Sequence, residues 1–191
     1  MVDLGTLGGM TSIGWAINAS GQVAGQSQIA GSSAHHAFLY TGTPGSGGVM
    51  ADLGTLGGTN SYGYAINVSG QVAGYSHLSD NATRHAFLYT GTPGAGGHMI
   101  DLDVWLDANN PGEGAKWTLN VAEGLTDTGL ITGTGDYNDG PGGLSDGMRA
   151  FLLDASALVV PEPAGFVMMG IGAVGLLLGR RSDWRRELID D

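Results

Sequence analysis

The chain has 191 residues, of which 36 are glycine, 13% are charged and none is cysteine, and its net charge is −11. The lack of cysteine excludes disulfides, thiolate metal sites and cysteine nucleophiles. Residues 1–160 carry three basic side chains against 13 acidic ones. This balance indicates no nucleic-acid partner, because phosphate binding depends on clustered Lys and Arg. The glycines follow no Gly-X-Y rhythm, so they predict turns and not collagen.

The first hundred residues contain an internal sequence repeat, in which every matching pair of residues lies 49 positions apart. The matching segments are residues 3–9 with 52–58, 20–25 with 69–74, and 36–45 with 85–94. A repeat of this length is typical of propeller blades or solenoid turns, in which each unit buries its apolar face against the next.

Within the first repeat, apolar stretches alternate with turn residues. Residues 15–17, 22–27, 36–40 and 49–53 read as four short strands, with a turn of Asn and Gly at 18–21. The second repeat places the corresponding strands at 64–67, 71–76, 85–89 and 98–102. A diverged third repeat follows an insertion at 103–116 and supplies strands at 117–125, 130–133 and 149–153. Four antiparallel strands in about 40 residues match one propeller blade.

These patterns predict an all-β chain of four-stranded, antiparallel, blade-like repeats that form a partial β-propeller of about three units. The units span roughly 13–53, 62–102 and 117–153, within a repeat domain at 1–159. Phe38, Phe87 and Phe151 share one position in the units, and we expect them to be buried there. His36 and His85 also share a position, where a hydrogen bond at a strand end is expected; Arg149 replaces them in the third unit.

Residues 2–4 match the end of a repeat and not its beginning. Two explanations remain open: this segment completes the last blade, or the chain is a piece of a longer array. We expect the second, with a signal peptide and further repeats upstream, because residues 1–5 lack a basic start and an apolar core.

The tail, residues 160–191, departs from the strand pattern. Its motif residues are Val160, Pro161, Glu162 and Pro163, and two prolines break a β-ladder. Residues 164–179 carry no charge, and Arg180 and Arg181 follow at once. As a helix this run is about 24 Å long, slightly less than the ~30 Å hydrocarbon core. It predicts a C-terminal transmembrane helix that anchors the chain, with both arginines on the cytoplasmic side.

The order of motif, apolar run and basic cluster resembles PEP-CTERM, the C-terminal sorting signal of exported bacterial proteins. The resemblance implies processing near Pro161–Pro163 by an exosortase, a membrane-embedded cysteine protease. It also implies that the helix is a transient anchor in the bacterial inner membrane. The repeats resemble the HAF family of extracellular repeats, named for the triplet that begins at His36 and again at His85.

No nucleophile elbow, zinc-protease motif or phosphate-binding loop occurs in the sequence. Asp136, Asn138, Asp139 and Asp146 could offer oxygen ligands to Ca²⁺, but their spacing differs from that of an EF-hand, and acidic glycine-rich loops are commonly just solvated. We therefore predict no catalytic residue, no metal and no cofactor.

Two functions remain from this reasoning. The preferred one is an exported, envelope-associated repeat protein that acts as a binding or structural module in an extracellular polysaccharide matrix and does no catalysis. The alternative is a propeller-type enzyme that hydrolyses a glycan with a carboxylate pair, for which Asp136 and Asp139 are the only candidates.

Overall fold

The computed structural model of the protein describes residues 1–43, 45–143 and 146–159, in which eleven β-strands form three antiparallel sheets. Sheet A comprises β1 (Gly8–Ile17), β2 (Val23–Ile29), β3 (His35–Thr43) and β4 (Ser46–Asp52). Sheet B comprises β5 (Gly57–Ile66), β6 (Val72–Leu78), β7 (Arg84–Thr92) and β8 (Ala95–Asp101). Sheet C comprises β9 (Trp117–Leu125), β10 (Leu130–Tyr137) and β11 (Gly147–Asp154). Between sheets B and C lie the helices α1 (Leu102–Asn109) and α2 (Pro111–Gly114), and a 3₁₀ turn at Ser156–Leu158 follows β11.

Each sheet is a meander whose strands lie side by side in chain order. The second strand of every sheet carries a glycine that allows the backbone and a phenylalanine ring to approach closely. A Cβ atom at this glycine would collide with a main-chain carbonyl oxygen of the first strand: Gly25 with Ile13, Gly74 with Tyr62, Gly133 with Val121. The same glycines pair with Phe38, Phe87 and Phe151 of the third strands. At Gly25 and Gly133 the ring of the paired phenylalanine would also lie about 2.8 Å from an added Cβ atom. These contacts align the diverged third unit with the first two, residue by residue.

The linker between sheets A and B is held by its own short side chains. Asp52 Oδ1 accepts from the Gly54 amide at 2.7 Å, and Thr55 Oγ1 donates to the Gly58 carbonyl at 2.8 Å. Ser61 Oγ then donates to the Gly54 carbonyl and accepts from the Ala37 amide of sheet A. The repeated Asp-Leu-Gly-Thr-Leu-Gly-Gly motif is thus the turn that carries the chain from the last strand of one sheet to the first strand of the next.

The sheets stack face to face in chain order. Strand β5 packs against β1, β2 and β3, and β9 packs against β5, β6 and β7 in the same way. Two apolar layers result: one between sheets A and B around Leu39 and Phe87, and one between sheets B and C around Leu88 and Phe151. Both faces of sheet B are therefore buried, which explains the continuous apolar run of β7.

The prediction of an all-β chain of antiparallel sheets is confirmed. Two finer features differ. Sheet C has three strands instead of four among the described residues, because the chain turns after β11, where Asp154 Oδ1 accepts from the Ser156 amide. The insertion at 103–116 forms two helices, since Asp101 caps α1 and Pro111 starts α2.

The three sheets form neither a closed barrel nor a closed propeller in this part of the chain. Phe38, Phe87 and Phe151 are buried at equivalent positions, as expected.

Within residues 1–43, 45–143 and 146–159, no helix is long and apolar enough to cross a membrane. The predicted helix at 164–179, the motif Val160–Pro163 and the arginines Arg180 and Arg181 lie outside the described residues.

Candidate functional site

A groove on the side of the first strands crosses all three sheets. Trp15 of β1, Tyr64 of β5 and Glu123 of β9 occupy equivalent positions in the three units. Each follows by two residues the carbonyl group that approaches the glycine of the second strand. Stacking of the sheets brings these side chains together in one groove of about 460 Å³. Its full lining is Trp15, Tyr64, Tyr75, Arg84, Val121, Glu123 and Thr134. The groove combines aromatic rings with charged and hydroxyl groups, the mixture typical of small-ligand sites.

The aromatic rings of the groove contact each other and one further tyrosine. The Trp15 ring of sheet A meets Tyr64 of sheet B edge-on, with ring centroids 5.6 Å apart. Within sheet B, Tyr75 stacks on Tyr62, which does not line the groove, at 4.7 Å. The Arg84 guanidinium lies 5.2 Å from the centre of the Tyr75 ring. Trp15 nevertheless stays 51% exposed. A large indole that is fixed by one neighbour and open to solvent is available to stack on a ligand.

The Tyr75 hydroxyl of the groove stays protonated over the physiological pH range. Burial, with a smaller contribution from the neighbouring Tyr64 and Tyr62 phenols, raises the pKa of Tyr75 to about 12. Burial also raises the pKa of Tyr62, and Tyr64 adds to the shift. Tyr75 therefore remains a neutral O–H donor and acceptor in the groove, able to bind a hydroxyl group of a ligand.

Histidine and aspartate form a repeated pair at the outer half of sheets A and B. His36 Nδ1 lies 2.8 Å from Asp52 Oδ2, and His85 Nδ1 lies 2.8 Å from Asp101 Oδ2. His85 Nε2 is also 3.6 Å from Asp103 Oδ2. Each pair joins the third strand of a sheet to the last residue of its fourth strand, so it holds these strands in register.

Two of the three carboxylates of this set, Asp52 and Asp103, respond differently to their surroundings. Burial opposes ionisation of Asp52, but hydrogen bonds from His36 and the Gly54 amide outweigh it and lower the pKa of Asp52. Burial raises the pKa of Asp103, against the hydrogen bond that it accepts from the Leu119 amide. The hydrogen bond to Asp101 raises the pKa of His85, although burial acts in the opposite direction. The shared position of His36 and His85 thus has an explanation in the contact that each makes between two strands.

The raised pKa of His85 predicts how stability depends on pH. The folded chain holds the His85 proton more tightly than the unfolded chain does. Its contribution to the free energy of unfolding is therefore complete below about pH 6.5 and is lost as pH rises through the folded-state pKa. We expect the free energy of unfolding, measured with urea between pH 5.5 and 8.5, to fall across this window. His85→Gln should flatten the fall, whereas His98→Gln, at an exposed position of β8, should not. Equal slopes in His85→Gln and the parent would contradict the pairing.

The candidate calcium ligands do not come together. Asp136 Oδ2 accepts from Asn120 Nδ2 at 2.9 Å, and Asp139 Oδ2 accepts from the Tyr137 hydroxyl at 3.2 Å. Among the residues that the structure describes, no group of three or more His, Cys, Asp or Glu side chains could hold a metal ion. The carboxylates named for the enzyme alternative, Asp136 and Asp139, are also outside the lining of the aromatic groove.

Comparison with known protein families gives one finding. Residues 159–186 match the family model of the PEP-CTERM protein-sorting motif. This chain carries a PEP-CTERM sorting signal. No curated protein and no solved structure matches the chain.

The PEP-CTERM signal covers the tail residues that the sequence singled out, Val160–Pro163 together with Arg180 and Arg181. It implies export to the cell envelope or surface and processing by an exosortase. The resemblance of the repeats to the HAF family is not tested by this match and stays a prediction.

The aromatic groove is a site that sequence reasoning missed. Trp15 was recognised only as part of an apolar strand, and Tyr64 and Tyr75 lie on different strands of sheet B. One signal was present in the sequence: both repeats carry a large aromatic residue, Trp15 or Tyr64, at the same position. Only the stacking of the sheets shows that they share a groove.

Proposed function

We propose that this protein is an exported, non-catalytic module that binds a neutral polysaccharide of the extracellular matrix through the aromatic groove. Its sheets serve as blades of a partial propeller, and its tail anchors it transiently in the inner membrane until an exosortase processes it. The observation that carries the binding proposal is the groove with its half-exposed Trp15 against Tyr64.

The groove has the chemistry that a sugar ring requires. The C–H face of a pyranose is apolar and flat, so it stacks on aromatic rings such as Trp15 and Tyr64. The hydroxyl groups around the ring edge need donors and acceptors, which Arg84, Glu123 and Thr134 offer at the border of the same groove.

Charge favours a neutral sugar over a uronate. Residues 1–160 carry 13 acidic side chains and three basic ones, and Glu123 lies in the groove itself. Long-range repulsion from this body disfavours a polyanion. The sorting signal supports the setting, since it directs the chain to the envelope or surface, where such polymers occur.

The test uses the full chain in detergent and a panel of neutral and uronate-containing oligosaccharides, with affinity measured by calorimetry. We expect binding to neutral oligosaccharides, and Trp15→Ala should weaken it roughly tenfold, which corresponds to about 1.4 kcal/mol. The matched control is Val49→Ala, a change at an exposed apolar side chain outside the groove, which should leave affinity unchanged.

Each other outcome contradicts part of the proposal. Equal affinity in Trp15→Ala and the parent would remove the groove as the site. Preferential binding of uronates would reject the neutral-polymer assignment. Release of shorter products from any oligosaccharide would show catalysis and favour the glycan-processing enzyme.

A further inference from the structure

The aromatic groove is built from two strand positions that recur from sheet to sheet. Tyr64 of the first strand and Tyr75 of the second line it in sheet B, and the equivalent Glu123 and Thr134 line it in sheet C. Sheet A contributes Trp15. Stacked sheets lie roughly 10 Å apart. A groove that crosses three sheets is therefore longer than one sugar ring.

The aromatic rings along the groove lie in different planes. The planes of Trp15 and Tyr64 are 69° apart, and those of Tyr64 and Tyr75 are 39° apart. Their ring centroids are separated by 5.6 and 5.9 Å, a spacing close to the length that one hexopyranose adds to a polysaccharide. The flat face of a crystalline polysaccharide needs aromatic rings in one plane, because its parallel chains present their sugar rings side by side. Rings that turn from one to the next instead suit a single chain whose successive residues also turn.

The groove changes from aromatic to polar along its length. At the sheet A end Trp15 is 51% exposed, whereas the lining in sheet C is Val121, Glu123 and Thr134. Arg84 and Glu123 are both exposed, and neither forms an ion pair with a described residue. The guanidinium can therefore donate to sugar oxygens, and the carboxylate can accept from sugar hydroxyl groups.

We infer that the groove binds a single chain of polysaccharide, at least three sugar residues long, that crosses the sheets from A to C. This inference rests on the proposed binding of a neutral polysaccharide. The first sugar residue stacks on Trp15. The second lies against Tyr64 and accepts hydrogen bonds from Arg84, and the third donates its hydroxyl groups to Glu123. Each sheet thus supplies one subsite.

The first test measures how affinity depends on the length of the sugar. It uses the full chain in a detergent without a sugar head group, calorimetry, and gluco-, manno- and galacto-oligosaccharides of one to six residues. In the series that binds, affinity should rise roughly tenfold or more from the monosaccharide to the trisaccharide, because the longer sugar fills two further subsites. Equal affinity for the monosaccharide and the trisaccharide would overturn the inference.

The second test separates a single chain from a crystalline surface. The full chain is mixed with crystalline cellulose or crystalline chitin, and the solid is sedimented. The protein should stay in the supernatant, because the differently oriented rings of the groove cannot all meet a flat face. Sedimentation of the parent that Trp15→Ala abolishes and Val49→Ala leaves unchanged would show binding of a flat face through the groove and would overturn the inference.

The third test assigns the subsites by comparing a disaccharide with a trisaccharide. Trp15→Ala should weaken the binding of both by a similar factor, since the strongest stacking position serves either sugar. Glu123→Ala should lower the affinity for the trisaccharide roughly fivefold more than that for the disaccharide, because the third residue alone reaches the carboxylate. Asp107→Ala, at an exposed carboxylate of α1 outside the groove, is the matched control and should leave the ratio of the two affinities unchanged.

Failure of this inference is distinguishable from failure of the proposed function. Binding that Trp15→Ala weakens but that does not depend on sugar length would reject the row of subsites and keep the groove as a sugar site. An unchanged affinity ratio in Glu123→Ala would likewise reject the subsite in sheet C alone. If no sugar of the three series bound, both the proposed function and this inference would be wrong.

Discussion

Replacing Phe87 with alanine is expected to cost about 3–5 kcal/mol of unfolding free energy, a large part of the 5–15 kcal/mol typical of a domain. Phe87 is fully buried in the layer between sheets A and B, and it pairs with Gly74 across the β6–β7 ladder. The cavity that alanine leaves cannot close easily, because the backbone on either side is fixed by ladder hydrogen bonds. Urea unfolding of the full chain, followed by the fluorescence of its four tryptophans, measures the change.

Val104→Ala is the matched control for this measurement. It also removes an apolar side chain, but from an exposed position on α1, so we expect a change within about 0.5 kcal/mol. If Phe87→Ala and Val104→Ala unfolded at the same urea concentration, the stacking of sheets A and B through this ring would be wrong.

Replacing both Pro161 and Pro163 with alanine is expected to block maturation, so that the unprocessed chain accumulates in the membrane. Both residues lie in the PEP-CTERM signal, which implies processing by an exosortase. The apolar run at 164–179 and the arginines that follow are unchanged by the substitution. Membrane insertion should therefore persist, since it depends on hydrophobicity and on positive charge at the cytoplasmic end.

The measurement is an immunoblot of the membrane and released fractions in a host that has the exosortase, beside the same host without it. Pro111→Ala, at the exposed first residue of α2, controls for the loss of a proline elsewhere and should mature normally. Equal maturation of the double proline variant and the parent would contradict recognition of this motif, although the anchor at 164–179 could still operate.

Much of the fold was accessible from the sequence because the repeat is nearly perfect in its first two units. The 49-residue offset placed the strands around Phe38 and Phe87 correctly, and the Asn and Gly turns separated them. The start of β1 at Gly8 was missed, since two glycines at the head of the strand hide the β pattern. The helices α1 and α2 were missed because the caps at Asp101 and Pro111 precede helices too short to show a period.

The binding groove and the sheet faces could not be predicted in the same way. A strand pattern shows which side chains alternate, but Trp15 meets Tyr64 only after two sheets have stacked. The pairing of His36 with Asp52 was also hidden, since these residues lie 16 positions apart in the sequence. Local patterns therefore predicted the units, while contacts between units had to come from the structure.

The repeated layer between sheets also bears on how such a chain can change length over generations. Sheet B follows its own linker and packs on a neighbouring sheet through each of its two faces, so a tandem duplication of its 49-residue unit would insert a sheet whose contacts fit its neighbours. Deletion of one unit likewise leaves two faces that match. Growth and loss then require no compensating substitution in the core, and selection can act on each unit's groove residues separately, as the change from Trp15 to Tyr64 to Glu123 illustrates.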